Sequence, residues 1–304
     1  MTAYVKPMVD TAGIVSAISH HLGEGATGIA PVSGGNLSSV FAFSLNGAAY
    51  IIKFSDMEHA YETEGYVSRL LRQQGIPFPR CMGQGKAGLL AYSILERIPG
   101  RNLVDCTAEE QSLQLPELIR MLTAMNHMDV GATGGFGWIQ PDGNGAFPAW
   151  RDYVVSFFAD EQTGFWEGWR EIPGLEQDVV DECYQRLLAY SVYNEPHRHF
   201  IHGDVSPWNI LSDGRRITGI IDGNFAYGDF IVDVATLKIM MGETDVVKAY
   251  QECSEKLGID IPDFQKRMIG AYYFKGLDGL RFFAKMGRDR DYRYMRQFLL
   301  SLTS

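Results

Sequence analysis

The chain has 304 residues, of which 46% are hydrophobic and 21% are charged, and its formal net charge is −10. This is ordinary globular composition, and the length suffices for two lobes that share a cleft or for one large domain. The acidic balance argues against a general nucleic-acid binder, because contacts to phosphates need a basic surface. It suits a cationic substrate, although solubility alone explains the same charge.

The four cysteines are far apart and form no C-x-x-C pair. This pattern favours free thiols in a reducing compartment over a zinc site or a disulfide framework. The first ten residues lack the apolar segment of a signal peptide, and no apolar run approaches the roughly 20 residues that span a bilayer. We therefore expect a cytoplasmic monomer with neither a membrane nor a nucleic acid as partner.

The first hundred residues alternate between strand and helix patterns. The strongest local signal is Asn46-Gly47, which is typical of a two-residue hairpin turn. Periodicity and stop signals predict a helix over residues 11–22, strands over 29–32, 40–45 and 48–54, a helix over 61–74 and a strand over 89–96.

Helical patterns dominate the remainder of the chain. Residues 131–148 are rich in Gly, Pro and Asn, which predicts a loop. Helices are predicted over residues 116–128, 177–193, 245–257 and 262–284, with short strands at 210–211 and 217–221. We therefore predict an α+β protein with two lobes, residues 1–98 and 99–304, and a cleft near residues 95–100.

One segment has a spacing that suits phosphoryl transfer. Asp204 follows His202-Gly203, Asn209 lies five residues on, and Asp222 lies thirteen residues beyond Asn209. This reaction needs one carboxylate to orient the attacking hydroxyl and two oxygen ligands to hold magnesium. A lone His-Gly-Asp is more often a turn, but the joint spacing favours a site. We interpret His202 as a structural support rather than a base.

A glycine-rich turn lies between the first two predicted strands. Its residues Ser33-Gly34-Gly35-Asn36 can bring backbone N–H groups and small hydroxyls close to phosphates. A hairpin turn without any ligand has the same sequence, so this signal alone is poor. The segment matches neither a Walker loop nor the dinucleotide-binding fingerprint.

Lys53 lies inside the apolar run of a predicted strand. A cation there is costly unless it has a partner or reaches solvent. ATP phosphates and a carboxylate of the next helix would satisfy it. Glu64 is the better placed candidate and Glu62 the other. An exposed lysine on an edge strand is the alternative.

The order of these features resembles the aminoglycoside phosphotransferase and choline kinase superfamily, whose members are small-molecule relatives of protein kinases. The resemblance extends over residues 28–237 and implies a bilobal protein-kinase-like fold, with a small β-rich lobe that binds nucleotide and a larger, mostly helical lobe for catalysis and substrate. It implies that Asp204 is the catalytic base, that Asn209 and Asp222 bind Mg²⁺, and that ATP is the donor.

The resemblance also assigns the nucleotide contacts. It implies that Lys53, paired with Glu64, holds the α- and β-phosphates, and that residues 94–98 form a hinge whose backbone binds adenine. The residues expected to contact the nucleotide are Ser33, Gly34, Gly35, Asn36, Ser38, Lys53, Glu64, Glu96 and Ile98.

Two further segments extend the resemblance. Residues 228–235 resemble a Gly-Asp-Pro-x-x-Asp-Leu-Ala motif, which implies that Asp233 accepts backbone N–H groups near the 202–209 loop. Residues 134–137 and 150–153 are most similar to hygromycin B phosphotransferases.

Three positions depart from the family pattern. Gly223 stands where an aromatic residue usually follows the metal-binding aspartate, and it could loosen this loop. Phe230 replaces the usual proline. Trp208 precedes Asn209 where a small residue is common; it either shapes a substrate pocket or packs in the core.

Two segments are candidates for binding a cationic, hydroxyl-rich substrate. Residues 157–171 combine aromatic side chains with Asp160, Glu161, Glu167 and Glu171, which suits an amino sugar, although a solvated helix face explains them equally well. The other candidate wall contains Tyr272, Tyr273, Asp278 and Arg281.

The sequence thus predicts an ATP- and Mg²⁺-dependent kinase that phosphorylates a hydroxyl of a small molecule. The leading acceptor is an aminoglycoside-type antibiotic such as hygromycin B, whose modification would confer resistance. One alternative is a metabolite kinase that acts on choline, homoserine or a sugar. The other is a nucleotide-binding module without turnover, against which the intact Asp204, Asn209, Asp222 and Lys53 argue.

Overall fold

The computed structural model describes residues 4–33, 35–57 and 59–303. These residues form two compact units. The smaller unit contains Tyr4–Pro99 and Gln140–Gly143, and the larger contains Gly100–Ile139 and the described residues from Asn144 onward. Within the described ranges, no helix is both long enough and apolar enough to cross a membrane.

The smaller unit is an antiparallel sheet with two helices. In chain order its elements are α1 (Thr11–Leu22), β1 (Thr27–Pro31), β2 (Ser39–Leu45), β3 (Ala48–Ser55), α2 (Glu64–Gln73), β4 (Cys81–Ala87) and β5 (Leu90–Glu96). The strands lie in the order β1-β2-β3-β5-β4. The apolar face of α1, with Ile14 and Ile18, packs with Phe43, Ile52 and Phe54 of the sheet. This β-rich N-terminal region was predicted.

The turn between β2 and β3 has the predicted geometry. Asn46 and Gly47 have φ values of 52° and 78°. Positive φ at both central residues is the requirement of the two-residue turn that matches the twist of paired strands. The hairpin signal in the sequence is therefore confirmed.

Helices surround small sheets in the larger unit. Its elements are β6 (Arg101–Asn102), α3 (Ala108–Asn126), β7 (Phe136–Ile139), β8 (Gly145–Phe147), α4 (Trp150–Phe157), α5 (Gln177–Ser191), β9 (His199–Ile201), β10 (Ile210–Ser212), β11 (Ile217–Ile220), β12 (Ala226–Gly228), α6 (Ile231–Met241), α7 (Val246–Lys256), α8 (Phe264–Lys285) and α9 (Asp289–Ser301). One sheet has the order β11-β10-β6 and the other β8-β7-β12-β9. The 202–209 loop joins β9 to β10, so its two ends are fixed in different sheets.

The loop predicted over residues 131–148 is wrong in part. Residues 136–139 and 145–147 form β7 and β8, an antiparallel hairpin. Gly137 has a φ of 71°, and a Cβ there would lie 2.5 Å from the Tyr153 ring. The glycines that suggested a loop therefore permit close packing of the hairpin against α4.

The helix predicted over residues 116–128 begins earlier than expected. Thr107 caps α3: its hydroxyl accepts the Glu110 N–H at 3.2 Å, and the Glu110 carboxylate accepts the Thr107 N–H at 2.8 Å. Pro116 lies within the helix. Pro116 is therefore not the start of the helix, and the start signal in the sequence is the capping pair Thr107 and Glu110.

A buried ion pair joins α8 to the segment before α6. Arg267 donates from Nε and Nη2 to the two oxygens of Asp229 at 2.9 and 2.7 Å. The Asn194 amide and the Ile231 N–H also donate to Asp229, at 2.7 and 3.0 Å. The Arg267 guanidinium lies 5.2 Å from the centre of the Phe230 ring, which occupies the usual proline position. All lone pairs of this buried carboxylate thus face donors.

We predict that Arg267→Ala lowers the free energy of unfolding by about 3–5 kcal/mol, because it leaves the Asp229 charge buried and unpaired. The matched control is Arg296→Ala. Arg296 pairs with Glu176 at 2.8 Å, but these side chains are 38% and 46% exposed, so a change of about 0–1 kcal/mol is expected. Urea unfolding of both variants checks this, and equal losses would contradict it.

Candidate active site

The structure brings Asp204, Asn209 and Asp222 together through one side chain. The Asn209 amide nitrogen donates to the Asp204 carboxylate at 2.7 Å and to the Asp204 carbonyl at 3.0 Å. It also contacts the Asp222 carbonyl at 3.1 Å. The three residues that the sequence singled out by spacing are therefore neighbours in space.

A buried aspartate of α6 anchors the start of the 202–209 loop. Asp233 accepts the backbone N–H groups of His202 and Gly203 at 2.9 and 2.8 Å and the Asn126 amide at 2.8 Å. Burial raises the Asp233 pKa to about 6, and these donors oppose that rise. The role expected of Asp233 is confirmed.

The Asp204 side chain is half-buried. Burial raises its pKa to about 6, Lys275 and the Asn209 amide act in the opposite direction, and Asp222 adds to the rise. A carboxyl group with such a pKa is a better proton acceptor than an exposed aspartate and is still mostly ionised at neutral pH. This is the chemistry required of a group that aligns a hydroxyl and accepts its proton.

His202 supports the loop. Its side chain is fully buried, and burial lowers its pKa to about 4, so the ring is neutral at pH 7. Its Nδ1 accepts the Asp204 N–H at 3.4 Å, and its ring lies edge-on to Phe225 at 5.4 Å. These contacts agree with the supporting role that we expected.

The donor groups around Asn209 fit a magnesium ion. The amide nitrogen of Asn209 is occupied by its three acceptors, so its Oδ1 is the atom that remains for a cation. Asp222 is an exposed carboxylate with a φ of 54°. Magnesium commonly takes one or two protein oxygens and completes its shell with phosphates and water. In the described part of the chain, no group of three or more His, Cys, Asp or Glu side chains could hold a metal ion by itself.

Gly223 makes room for an aromatic ring. A Cβ at Gly223 would lie 2.1 Å from the Phe225 ring. Phe225 packs against His202 and lies 6.0 Å from the Phe200 ring. Phe225, two residues after Gly223, thus provides an aromatic ring next to this loop. Space for that ring explains the glycine, and the expected loosening of the loop is not needed.

In the smaller unit, Lys53 has a carboxylate partner. It lies on β3, between β2 and β5, and is 7% exposed. Its Nζ is 2.8 Å from Glu64 Oε1, and it lies over the Tyr61 ring at 5.2 Å. The alternative of an exposed edge lysine is therefore wrong. Glu62 instead contacts His59 at 2.7 Å, so Glu64 is the partner.

The described residues of the glycine-rich turn are exposed. Gly34 lies outside the described residues, whereas Ser33, Gly35 and Asn36 are exposed, with Gly35 at a φ of 64°. The Ser38 hydroxyl is 2.8 Å from the Tyr61 hydroxyl. Exposed backbone N–H groups could meet phosphates here, and a role of these residues in nucleotide binding stays a prediction.

The predicted hinge begins at the end of β5. The Glu96 N–H donates to the Arg80 carbonyl at 2.9 Å, and its carboxylate is 3.4 Å from Arg72. Ile98 follows the strand in irregular, half-buried structure. A contact of Glu96 or Ile98 with adenine stays a prediction.

Trp208 is exposed, which excludes the core alternative. Its side chain is 60% accessible, although its backbone is fixed, since its carbonyl accepts the Asn102 side-chain amide. A large aromatic surface next to Asn209 is available for a ligand.

Most aromatic residues of the 157–171 segment belong to the hydrophobic core, since Phe157, Phe158, Phe165 and Trp169 are buried.

The two candidate substrate walls meet at Arg281 of α8. Its guanidinium lies 4.5 Å from the Phe157 ring centre and 4.0 Å from that of Trp166. It also donates to Asp278 at 3.0 and 3.1 Å. Asp160 is held by Arg170 at 2.7 Å. Core packing therefore explains most of the aromatic cluster. Among the acidic residues of these two walls, Asp278 is one that helps to raise the pKa of Asp204.

Lys275 is a residue near the site that the sequence did not reveal. It donates from α8 to the Gly203 carbonyl at 2.9 Å. A lysine within a 22-residue amphipathic helix resembles any solvated residue, and only the packing of α8 against the loop distinguishes it.

We predict that Gly203→Ala disrupts the 202–209 loop. Gly203 has a φ of +79°, and a Cβ would lie 2.2 Å from the Asn224 carbonyl oxygen, so the backbone must shift. Gly258→Ala is the matched control, since Gly258 has a φ of +68° but nothing within 4 Å of its Cβ position. The control should lose only the roughly 1–2 kcal/mol of left-handed strain.

Urea unfolding and amide hydrogen exchange of residues 202–209 check this pair. Faster exchange in this loop is expected for Gly203→Ala alone. The prediction is wrong if the two variants lose equal stability and exchange alike.

Comparisons with known proteins identify the family of this chain. The profile of the phosphotransferase enzyme family matches residues 28–283. Hygromycin-B 4-O-kinase from Escherichia coli is 27% identical over 208 residues, a match that covers 68% of this chain and 60% of that protein. The chain therefore aligns with less than two thirds of this relative.

Solved structures share the fold. The crystal structure of aminoglycoside phosphotransferase APH(4)-Ia has a TM-score of 0.80 at 20% identity, covering 96% of this chain and 98% of that one. A thermostable mutant of it, in a ternary complex with AMP-PNP and hygromycin B, has a TM-score of 0.78 at 21% identity, with 95% and 97% covered. An aminoglycoside phosphotransferase from Streptomyces rimosus has a TM-score of 0.59 at 16% identity, with 89% and 99% covered. The chain thus belongs to the phosphotransferase enzyme family and has the kinase-like fold of the aminoglycoside phosphotransferases.

Proposed function

We propose that this protein transfers the γ-phosphoryl group of ATP, with Mg²⁺, to a hydroxyl of an aminoglycoside-type antibiotic similar to hygromycin B, and so confers resistance to it. The observation that carries the proposal is the Asn209 side chain, which joins the Asp204 carboxylate to the Asp222 backbone. A carboxylate and two oxygen ligands at one point are what phosphoryl transfer to a hydroxyl requires.

In the proposed reaction, Asp204 orients the acceptor hydroxyl, whose oxygen attacks the γ-phosphorus. The bond from that phosphorus to the β–γ bridging oxygen breaks, ADP leaves, and the hydroxyl proton passes to Asp204. Asn209 Oδ1 and the Asp222 carboxylate would hold Mg²⁺. The ion supplies positive charge to the phosphate oxygens.

The nucleotide-binding role of the smaller unit rests on the Lys53–Glu64 pair. A buried glutamate fixes the ammonium at 2.8 Å, and such a fixed cation suits the α- and β-phosphates. Glu64 Oε2 is buried and lacks a hydrogen-bond partner, so Lys53 is its main source of compensation. We assign the exposed turn residues Ser33, Gly35 and Asn36, together with Gly34 and Ser38, to the phosphates, and Glu96 and Ile98 to adenine.

A cationic acceptor fits the charges of this chain. The formal net charge is −10, and the Asp278 side chain, which acts electrostatically on Asp204, is 22% exposed. Two similar proteins, a hygromycin-B 4-O-kinase and a phosphotransferase crystallised with AMP-PNP and hygromycin B, support this acceptor class. Activity on choline, homoserine or a sugar would instead indicate a metabolite kinase.

We predict ATP-dependent phosphorylation of hygromycin B in a panel that also contains choline, homoserine and simple sugars. Product is measured by mass spectrometry, and binding by thermal shift. Asp204→Asn is expected to lower kcat by about 10²–10⁴-fold, because the acceptor hydroxyl loses its proton acceptor. ATP binding of this variant should be unchanged.

Phosphorylation of metabolites alone would overturn the antibiotic assignment. Full turnover by Asp204→Asn would overturn the role of Asp204, whatever the acceptor.

We also predict that removal of Mg²⁺ with EDTA abolishes turnover and that added Mg²⁺ restores it. Asp222→Asn should raise the Mg²⁺ concentration for half-maximal rate by about 10-fold or more, because a neutral amide is a weaker ligand than a carboxylate. Asp260→Asn, at an exposed position outside the site, is the control. Equal Mg²⁺ requirements of the two variants would exclude Asp222 as a ligand.

A further inference from the structure

Gly203 is held at both ends of its backbone by charged side chains. Its N–H donates to Asp233 of α6 at 2.8 Å, and its carbonyl accepts from Lys275 of α8 at 2.9 Å. A hydrogen bond with an ionised partner is shorter and roughly twice as strong as a neutral one. The residue directly before Asp204 is therefore fixed by two helices.

The position of Lys275 is itself defined by its neighbours on α8. Its Nζ lies 3.6 Å from Asp278, and its side chain is only 14% exposed. Asp278 is held in turn by Arg281, whose Nη1 donates to the Phe157 carbonyl at 2.9 Å. These three charged residues follow one another at intervals of three along α8, so each contacts the next. The aromatic core holds Arg281, Arg281 holds Asp278, and Asp278 holds the lysine that binds Gly203.

The Gly203 carbonyl belongs to the same peptide group as the Asp204 N–H. That N–H donates to His202 Nδ1 at 3.4 Å, so Lys275 and His202 hold the two ends of the planar peptide group that leads into Asp204. The 202–209 loop itself contains no lysine or arginine, and His202 is neutral. The cation that contacts this loop, Lys275, therefore comes from α8.

We propose that Lys275 is a positioning residue for phosphoryl transfer, which fixes the Asp204 carboxylate by binding the Gly203 carbonyl. This inference rests on the proposed function of Asp204. A displacement of about 1 Å at a reacting group can lower a rate by about 10²-fold. The effect should therefore appear in kcat rather than in the affinity for ATP.

The test compares Lys275→Met, Lys275→Arg and Lys285→Met. Lys285 lies on the same helix, 4.8 Å from the Phe165 ring centre, and serves as the control for loss of a lysine from α8. Lys275→Met should lower kcat about 10²-fold, with the KM for ATP within about threefold of the parent. Lys275→Arg should recover most of the rate, and Lys285→Met should match the parent.

Amide hydrogen exchange of Gly203 and Asp204 gives a readout that does not depend on turnover. Faster exchange at these two residues in Lys275→Met, but not in Lys285→Met, supports the inference. Parent-like kcat or unchanged exchange in a folded Lys275→Met overturns it. If the Met variant does not fold, Lys275→Arg decides: a folded Arg variant with the rate of Asp204→Asn also overturns it.

Failure of this inference differs from failure of the proposed function. If Asp204→Asn abolishes transfer while Lys275→Met is fully active, the function stands and the role of Lys275 falls. If Asp204→Asn is fully active, the proposed function falls, and a kcat loss in Lys275→Met no longer supports positioning of Asp204.

Discussion

The interaction on which the site depends is the buried carboxylate of Asp233. It accepts two backbone N–H groups at the start of the 202–209 loop and the amide of Asn126. Burial of a carboxylate is unfavourable, as the rise of its pKa to about 6 indicates, and the three donors offset this cost only when the loop has one conformation. The helix α6 therefore determines where the loop leaves β9.

The residues that follow this anchor determine where Asp204, Asn209 and Asp222 lie. Gly203 adopts a φ of +79° that residues with a Cβ avoid, and Asn224 in addition leaves no space for a Cβ there. The turn directs Asp204 towards Asn209, whose amide nitrogen links it to the backbone of Asp222. Since one amide is shared by both aspartates, none of the three residues can move independently of the others.

The larger unit contains two different arrangements of charged side chains. The Arg267–Asp229 pair is fully buried and fully hydrogen-bonded, so it joins elements without facing solvent. The row Lys275, Asp278 and Arg281 begins in an aromatic core and ends at the loop. The first arrangement is structural, whereas the second connects a candidate substrate wall with the residue before Asp204.

Much of the fold and part of the site could be predicted from local sequence signals. The helix α1 has the predicted bounds because its apolar spacing and the glycine after it are both local. The hairpin at Asn46-Gly47 is equally local. By contrast, β4 contains Gly83 and Gly85 and has little strand character; a Cβ at Gly83 would lie 2.4 Å from the His21 ring, so its glycine reflects a contact with α1. The glycines of β7 and β8 likewise suggested a loop, whereas Gly137 reflects close packing against Tyr153 of α4.

The sequence by itself predicted phosphoryl transfer, because Asp204, Asn209 and Asp222 lie in one short stretch at a spacing that suits this reaction. It also indicated Lys53 and two possible partners for it. Only the tertiary structure decided that Glu64 is that partner, that Trp208 is exposed and that Lys275 reaches the Gly203 carbonyl. Lys275 is separated from Gly203 by 72 residues, and no local pattern encodes a contact that depends on how α8 packs against a loop.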